Sequence, residues 1–444
     1  MTSPRLDALL QKFPDIPASV ILKTDLLREG IKFTPTLNEI GRWCIPHFLM
    51  WNPEHNFDVD ANGGPPEDWL LTPWNVRLGD GTTIKTKFWD PEAPYEIRRV
   101  GAGYFLFRDE IEIEEVFFHH RPDWYFDRTS DRTVHAAVVQ LWAPECWYSV
   151  ALRYCQYSKT DDQCRFCCLM PDDGADGGRL AGLGYEVAMT PENLAETYRA
   201  GVTAGPVRHY GLTGGAILNN TKEIDRMARL FRRLSDERTR LGADTMFWAN
   251  PSGLEPHELR TLKESGADGV TINLEVWEPK LWPVIVPGKH KFFGRDRYLE
   301  SMKRAVDCFG PWHVSTFFVT GVERVAPHGF ASDAEGIASV LEGIDWCLDH
   351  QILPGTTMWL PAPGSPWASE PCPSTEYFLE LGRAVHRLMD SRGFYLAAVP
   401  EKTAMCQECQ DCSVHIDHYY AAQAATRRRE PGSAWRGERL VRST

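Results

Sequence analysis

Cys155-x8-Cys164-Arg165-Phe166-Cys167 is the stretch that decides the fold of this 444-residue chain, and it follows an apolar run at residues 147–152. The apolar run has the length and composition of a buried strand. Three thiolates from one loop can bind three irons of a four-iron cluster and leave the fourth iron open to a small chelating molecule. The ring of Phe166 would place a flat apolar face beside that molecule. The loop therefore predicts an iron–sulfur site that binds a second ligand.

The composition is that of an ordinary globular protein, with 43% apolar and 25% charged residues. The sequence shows neither an apolar signal-peptide core at its start nor an apolar run as long as a membrane span. A formal net charge of −13 argues against a nucleic-acid-binding surface, which requires clustered Lys and Arg. We therefore expect a soluble, cytoplasmic protein without nucleic-acid or membrane partners. Its basic tail, residues 426–444, is predicted to be disordered and solvated rather than a specific anion-binding segment.

The chain before about residue 140 is rich in Trp, Pro and Gly, with turn signals between short alternating stretches. Residues 83–88 and 111–116 alternate apolar with polar or charged side chains, as half-buried strands do. Residues 1–140 are therefore predicted to form a mainly β accessory domain.

Residues 141–395 show a regular alternation of strand and helix patterns. Strand-like runs lie at residues 147–152, 207–212, 245–249, 269–274, 314–320 and 357–360. Helical segments with capping residues or an early Pro begin near Pro191, Thr221, Glu255, Asp296, Ser332 and Ser374. Six βα units in series indicate an α/β fold with a parallel sheet and crossover helices. Six units are too few for an eight-fold barrel, so a partial (βα)6 TIM-type barrel is predicted.

The cysteine motif resembles that of the radical S-adenosylmethionine (SAM) superfamily, in which an aromatic residue precedes the third cysteine. The usual pattern is C-x3-C-x-aromatic-C, and here the first gap has eight residues. The superfamily mostly uses a six-unit partial barrel with the cluster loop after its first strand, which is where this loop lies. The resemblance implies a [4Fe–4S] cluster on Cys155, Cys164 and Cys167, with Phe166 beside bound SAM. It also implies reductive cleavage of SAM to a 5′-deoxyadenosyl radical that abstracts hydrogen from a substrate.

The second predicted strand is followed by Thr213-Gly214-Gly215-Ala216. In the superfamily a Gly-Gly-Glu-like motif at this place binds the amino group of the methionine part of SAM. Ala216 replaces the Glu, so backbone carbonyls of Thr213, Gly214 and Gly215 would bind that group. Two glycines also occur in an ordinary tight turn, which is the alternative interpretation.

The fourth predicted strand ends in Asn273-Leu274-Glu275, which is similar to a biotin synthase segment whose Asn and acid contact the cofactor ribose. A carboxylate can accept from two ribose hydroxyls, and the alternative is that both side chains merely end a strand. Arg295 and Arg297 open the next helix, where the resemblance places an Arg on the methionine carboxylate. Pro287-Gly288-Lys289-His290 in the preceding loop also brings cations toward the barrel mouth, and a solvated loop is the prediction for this segment.

The fifth predicted strand ends in Val319-Thr320-Gly321-Val322-Glu323, which is similar to the superfamily segment that packs near adenine. The resemblance therefore adds Val319, Gly321 and Glu323 to the cofactor site. It also adds Leu360, after the sixth strand, where backbone contacts to adenine are usual.

A second cysteine cluster, Cys406-x2-Cys409-x2-Cys412, lies in the Cys-rich segment 396–425. Short x2 gaps suit an iron–sulfur cluster or a zinc site. An auxiliary cluster, a structural zinc ion and reduced free thiols all remain open for these residues. His415 or Cys372 is the candidate fourth ligand.

The sequence thus predicts a radical SAM enzyme that acts on a small molecule by rearrangement, bond cleavage or group insertion. A flavodoxin- or ferredoxin-type electron donor is implied, and no residue can be assigned to the substrate. The alternatives are a radical methyl or methylthio transferase and a non-catalytic scaffold with zinc at both cysteine sites. His119 and His120 either cover the barrel mouth or are ordinary histidines beside a strand.

Overall fold

The computed structural model describes residues 3–46, 71–86, 92–152, 155–167, 169, 189–253, 255–362, 364–398 and 412–427. These residues form two sheets, an antiparallel one near the N terminus and a mostly parallel one in the centre. Helices precede the first sheet and cover the second.

Three helices open the N-terminal region: α1 (Pro4–Lys12), α2 (Ala18–Glu29) and α3 (Pro35–Trp43). The start of α1 is capped by Ser3, whose Oγ accepts a hydrogen bond from the Leu6 N–H at 3.3 Å. Both α1 and α3 have a Pro in the first turn, where its missing N–H costs nothing. The prediction of a mainly β region was therefore incomplete, because these helices precede every described strand.

The first sheet has five antiparallel strands in the order β2-β1-β5-β4-β3. The strands are β1 (Asn75–Leu78), β2 (Thr83–Lys85), β3 (Tyr95–Val100), β4 (Gly103–Arg108) and β5 (Ile111–Phe117). The alternating stretches seen in the sequence correspond to β2 and β5. In β3, Tyr95 and Ile97 are buried while their neighbours are partly exposed, so one face of the sheet packs on the core.

The second sheet has seven strands in the order β12-β11-β10-β9-β8-β7-β6. The strands are β6 (Gln140–Ala143), β7 (Cys146–Leu152), β8 (His209–Gly214), β9 (Met246–Ala249), β10 (Gly269–Thr271), β11 (Val314–Thr320) and β12 (Leu353–Met358). Only β6 is antiparallel, and β7 to β12 run parallel. These six parallel strands confirm the partial barrel. The sixth strand lies about four residues before its predicted position.

The crossover helices begin where the sequence predicted them. A short helix, α4 (His135–Val138), precedes β6. The helices after the cysteine loop are α5 (Pro191–Ala204), α6 (Asn220–Leu241), α7 (Pro256–Glu264), α8 (Trp282–Ile285), α9 (Pro287–Phe292), α10 (Arg295–Phe309), α11 (Asp333–Asp349), α12 (Thr375–Ser391), α13 (Phe394–Ala398) and α14 (His415–Arg427). Capping boxes fix three of these starts, at Thr190 with Asn193, at Glu255 with Glu258 and at Ser332 with Glu335.

The N-terminal region contacts both ends of the central sheet. Asn75 Nδ2 donates to the Trp142 carbonyl in β6 at 2.9 Å. At the other end, Thr375 Oγ1 at the start of α12 donates to Asp25 Oδ1 in α2 at 2.8 Å. The N-terminal region thus contacts the edge strand β6 and also the helix α12, which follows the other edge strand in the chain. Over the described residues, no helix combines the length and apolar character that a membrane crossing requires.

Candidate functional site

The cysteine loop, residues 155–167, leaves the C-terminal end of β7 and is tied to the Gly-Gly segment after β8. Gln156 N donates to the Ala216 carbonyl at 2.8 Å, and Gly215 N donates to the Leu152 carbonyl at 2.8 Å. Active sites of parallel barrels lie at this end of the strands. The structure therefore brings two of the predicted motifs together at the barrel mouth.

The second half of the loop is a tight turn that carries Cys164 and Cys167. Cys167 N donates to the Cys164 carbonyl at 3.0 Å, and Gln163 Nε2 donates to the Cys167 carbonyl at 2.6 Å. All three cysteines are half-buried, and Phe166 between the last two packs against the hydrophobic core. The ring of Phe166 is thus held in place by packing against the barrel.

Burial dominates the electrostatics of the loop thiols. Burial raises the pKa of Cys164 to about 12, and the positive charge of Lys289 opposes that rise. Burial also raises the pKa of Cys155, while the backbone N–H groups of Ala216 and Tyr157 lower it. Both thiols stay protonated at neutral pH unless a metal displaces the proton, as metal binding to cysteine requires.

Lys289 lies in helix α9, so the prediction of a solvated loop was wrong for this residue. Its Nζ is 2.7 Å from Glu275 Oε1 and 2.7 Å from the Asn273 carbonyl oxygen, and its side chain is 12% exposed. Burial lowers the pKa of Lys289, but the negative charge of Glu275 and the nearby Cys164 outweigh burial and raise it. A permanent ammonium group therefore lies next to the cysteine loop.

The residues after β10 are held by the neighbouring strand β11. Asn273 Oδ1 accepts from Phe317 N at 3.2 Å, so this oxygen serves the sheet. Glu275 has a φ of 70°, and its backbone bonds Phe317 O at 2.9 Å and Val319 N at 2.8 Å. A residue other than Gly with positive φ is uncommon and persists where its surroundings hold it. These contacts fix the Glu275 carboxylate at the barrel mouth, and its role toward a ribose stays a prediction.

The Gly-Gly segment packs closely on β7. A Cβ on Gly214 would lie 2.6 Å from the Leu152 carbonyl oxygen, so no other residue fits without a shift. Thr213 Oγ1 accepts from Asn250 Nδ2 at 3.1 Å, and Ala216 is buried. Close packing thus explains why a glycine is needed at position 214. The role of this backbone in binding SAM stays a prediction.

Arg295 and Arg297 are both committed to neighbouring groups. Arg295 Nε donates to the Trp277 carbonyl at 3.0 Å, and the Arg295 guanidinium lies 4.4 Å from the centre of the Trp277 ring. Arg297 Nε donates to Glu255 Oε1 at 2.7 Å. Which of them faces a cofactor carboxylate stays open.

Glu323 is a buried local cap at the end of β11. Its two carboxylate oxygens accept from Gly321 N at 3.0 and 2.8 Å, and the Tyr377 hydroxyl donates to it as well. Gly321 has a φ of 104°, a conformation that favours glycine. Val319 is buried and Leu360 is half-buried after β12. The segment is ordered by its own contacts, and its adenine role stays a prediction.

Glu223, at the start of α6, is a buried carboxyl that sequence reasoning missed. Burial raises its pKa to about 7, and hydrogen bonds from Ser252 N (2.8 Å) and Ile217 N (3.3 Å) oppose the rise. The only sequence signal was an acidic residue in the first turn of a helix after a Gly-Gly loop, which usually indicates a dipole contact. The carboxyl joins the loops after β8 and β9 at the barrel mouth.

The second cysteine cluster lies mostly outside the described residues, because Cys406 and Cys409 are not among them. Cys412 Sγ is 3.9 Å from Thr357 Oγ1, and Cys372 Sγ donates to the Trp359 carbonyl at 3.2 Å. His415 Nδ1 is 2.9 Å from both Thr356 Oγ1 and Ser413 Oγ. The auxiliary site therefore stays a prediction.

The histidine pair after β5 is packed into the N-terminal region. Burial lowers the pKa of His119 to about 3, so its ring is neutral. His120 packs on Trp43, with ring centres 4.7 Å apart. These contacts fit the interpretation as ordinary histidines.

The cysteine loop fits an iron–sulfur cluster by its donor chemistry. Cys155 and Cys164 are free thiols near a buried ammonium and backbone N–H groups, which favour thiolate charge. Among the described residues, no group of three His, Cys, Asp or Glu side chains converges as ligands of one metal ion. Cluster ligands do not converge in this way, since each thiolate binds a different iron.

Comparison with known proteins finds a family model that matches the region of the cysteine loop. The family model of the radical SAM superfamily matches residues 153–328. Bacteriochlorophyllide c C-7(1)-hydroxylase from Chlorobaculum limnaeum is 24% identical over 246 residues, which are 52% of this chain and 56% of that protein. The match thus spans little more than half of the relative's length.

Two solved structures match part of the chain at low similarity. Methylornithine synthase is 17% identical with a TM-score of 0.40, over 55% of this chain and 62% of that one. Coproporphyrinogen III oxidase from Escherichia coli is 12% identical with a TM-score of 0.38, over 58% and 55% of the two chains. The family match begins directly after β7 and contains all three loop cysteines, so this part of the chain is similar to the radical SAM superfamily.

Proposed function

We propose that this protein is a radical SAM enzyme that binds a [4Fe–4S] cluster on Cys155, Cys164 and Cys167 and abstracts hydrogen from a small-molecule substrate. The observation that carries the proposal is the family match over a loop that presents three cysteines at the C-terminal end of the first parallel strand. The barrel mouth also collects the Gly-Gly segment and Glu275, which support cofactor binding there.

The residues of this chain would each have a separate part. The chemistry that a bound, reduced cluster supplies is one-electron cleavage of SAM to methionine and a 5′-deoxyadenosyl radical. Cys155, Cys164 and Cys167 would hold the cluster, and Phe166 would present an apolar face to the cofactor. Glu275 would accept from the ribose hydroxyls through the oxygen that Lys289 does not bind. Buried residues of β7 and β8 lie beneath the site and would exclude water from it.

The substrate is proposed as a small molecule with an unactivated C–H bond. The curated relative is by its name a hydroxylase of a bacteriochlorophyllide, which supports a C–H bond as the point of attack. Rearrangement, bond cleavage and group insertion each begin with the same abstraction and remain alternatives. A flavodoxin- or ferredoxin-type donor would supply the electron.

The test is anaerobic reconstitution with iron and sulfide, followed by an electron paramagnetic resonance (EPR) spectrum of the reduced protein with and without SAM. We expect a reduced [4Fe–4S] signal that changes when SAM binds the open iron, and release of 5′-deoxyadenosine. In Cys164→Ala we expect both the signal and the release to fall to background. Cys308→Ala, which removes a thiol in α10 outside the loop, is the matched control and should behave like the unchanged protein.

Two results would overturn the proposal. One is zinc instead of iron in the protein as isolated, together with no cluster after reconstitution, which would favour the metal scaffold. The other is a reduced cluster whose spectrum does not respond to SAM, because the open iron is where the cofactor must bind. The spectrum decides this even if 5′-deoxyadenosine release requires the true substrate.

A further inference from the structure

Helix α9 is docked directly on the cysteine loop. Gly288 N donates to the Asp162 carbonyl at 2.9 Å, and Phe292 stacks on Tyr157 with ring centres 5.5 Å apart and planes 8° apart. A Cβ on Gly288 would lie 2.5 Å from Tyr157 Cγ, so glycine is what permits this approach. The position of α9 and the position of the loop are therefore mechanically linked.

The same segment is joined to the loop at a second place. Arg165, between the last two cysteines, donates its backbone N–H to the Ile285 carbonyl in α8 at 2.9 Å. Lys291 adds an ion pair with Asp162 at 2.7 Å on the outer side of α9. Helices α8 and α9 together thus form a wall against which the loop is held.

The wall places the Lys289 ammonium inside the site. An ammonium has three N–H donors, and the Glu275 carboxylate and the Asn273 carbonyl accept two of them. Glu275 is 10% exposed, so the pair is shielded from bulk water on both sides. Charges in such a place act more strongly than at the surface, because little water screens them.

Helix α9 holds this ammonium at the loop through the neighbouring residue, because Gly288 N donates to the Asp162 carbonyl of the loop. Lys289 is the cation of that helix whose side chain is buried, at 12% exposure. A fixed positive charge in such a place stabilises negative charge that is added nearby.

We propose that Lys289 is a positioning residue for the cluster, whose buried positive charge favours the reduced state and so raises the reduction potential. This inference rests on the proposed function. Reduction adds one negative charge to a cluster held by three thiolates, and a nearby fixed cation stabilises that added charge. Cluster potentials depend on net charge, hydrogen bonds to sulfur and exposure, and Lys289 acts through the first of these.

The test is a potentiometric titration of the reconstituted cluster without SAM, read by EPR. In Lys289→Met we expect the ratio of reduced to oxidised cluster at a fixed potential to fall about tenfold, which is about 59 mV for one electron. Lys289→Arg keeps the charge and should titrate close to the unchanged protein. Lys291→Met removes the same charge from the same helix, but its side chain is 54% exposed, so we expect no shift beyond error.

A Lys289→Met protein with full iron content and the same midpoint as Lys291→Met would overturn the inference while leaving the proposed function intact. If Lys289→Met does not fold, Glu275→Gln answers the question, because removing the carboxylate should shift the midpoint upward. An unshifted or lower midpoint in Glu275→Gln would also overturn the inference. Failure of the unchanged protein to form any cluster would instead overturn both proposals.

Discussion

Among the residues that the structure describes, two lysine–carboxylate pairs are buried, in surroundings of opposite character. Lys289 and Glu275 meet at 2.7 Å beside the cysteine loop, with side chains 12% and 10% exposed. Lys23 in α2 and Asp417 in α14 meet at 2.8 Å, with side chains 1% and 12% exposed. The first pair joins two segments of the barrel mouth, and the second joins the N-terminal helices to the last described helix.

The neighbours of each pair decide what it can do. Around Lys289 lie two thiols and the ends of β10 and β11, where charge can act on a ligand. Around Asp417 lie packed rings, including Tyr395 stacked on Tyr419 with centres 4.5 Å apart. The Lys289–Glu275 pair therefore tunes chemistry at the barrel mouth, whereas the Lys23–Asp417 pair fixes the packing of two chain segments.

The largest expected effect is on the structural pair. Lys23→Met leaves the Asp417 carboxylate buried without its cation, and breaking a buried pair in this way costs about 3–5 kcal/mol. We expect the free energy of unfolding in urea to fall by about that amount. The cluster potential of the protein that remains folded should not change, because Lys23 pairs with Asp417 in α14 and not with a group of the barrel mouth.

Asp417→Asn should cost a similar amount, and the double variant should recover part of the loss. If Lys23→Met instead shifted the cluster potential as Lys289→Met does, the contrast between the two pairs would fail.

Buried histidines beside the structural pair predict a loss of stability in acid. Burial lowers the pKa of His415 and of His418 to about 3, below the ordinary value of 6.5. The unfolded chain therefore binds more protons between these values, so stability is complete above about pH 6.5 and falls as the pH decreases toward 3. At pH 5 the expected loss is about 2 kcal/mol for each histidine.

Urea unfolding at pH 7 and pH 5 measures this loss of stability. Carboxylates contribute to the loss equally in every variant, so the difference between variants isolates the histidine. His418→Phe keeps the ring that stacks on His386 and removes one proton site. We expect it to lose about 2 kcal/mol less than the unchanged protein between the two pH values. An equal loss in both proteins would show that His418 is not neutral in the folded state.

The sequence predicted the barrel well because its signals are local. The helix that begins at Pro191 and the strand that ends at Thr320 follow from caps and apolar runs that need no tertiary information. The cysteine loop was placed correctly for the same reason. The N-terminal helices were missed although Ser3-Pro4 is a start signal, because Trp, Pro and Gly dominated the composition of that region.

The burial of Lys289 was missed for a different reason. Pro287 is a start signal for a short helix, but burial of the lysine depends on the contact between α9 and the cysteine loop, far apart in sequence. Whether Glu275 meets a cation or a solvent molecule likewise depends on which segment packs over β10. Long-range contacts of this kind cannot be read from periodicity or capping.

A smaller effect is expected where α9 touches the loop. Gly288→Ala places a methyl group 2.5 Å from Tyr157 Cγ and 2.7 Å from the Asp162 carbonyl oxygen. A ring held by stacking and a backbone carbonyl can yield little, so overpacking should cost about 1–3 kcal/mol of unfolding free energy. Iron retained after reconstitution should fall as well, because the wall and the loop move apart. Gly205→Ala, with no atom within 4 Å of the new methyl, is the neutral control, and equal iron content in the two variants would contradict the docking argument.

The smallest effect is expected at Gly382, a closely packed glycine near the Lys23–Asp417 pair. Gly382 in α12 faces α14, and a Cβ there would lie 2.7 Å from Val414 Cγ2 and 3.8 Å from His418 Nε2. The nearest obstacle is a methyl group on a side chain that can shift, and alanine gains about 1 kcal/mol over glycine inside a helix. Gly382→Ala should therefore change the free energy of unfolding by less than about 1 kcal/mol, as measured in urea beside Gly288→Ala. If Gly382→Ala lowered the free energy of unfolding as much as Gly288→Ala, the Val414 side chain could not shift away from the new methyl group. The packing of α14 would then be as rigid as the wall of the cysteine loop.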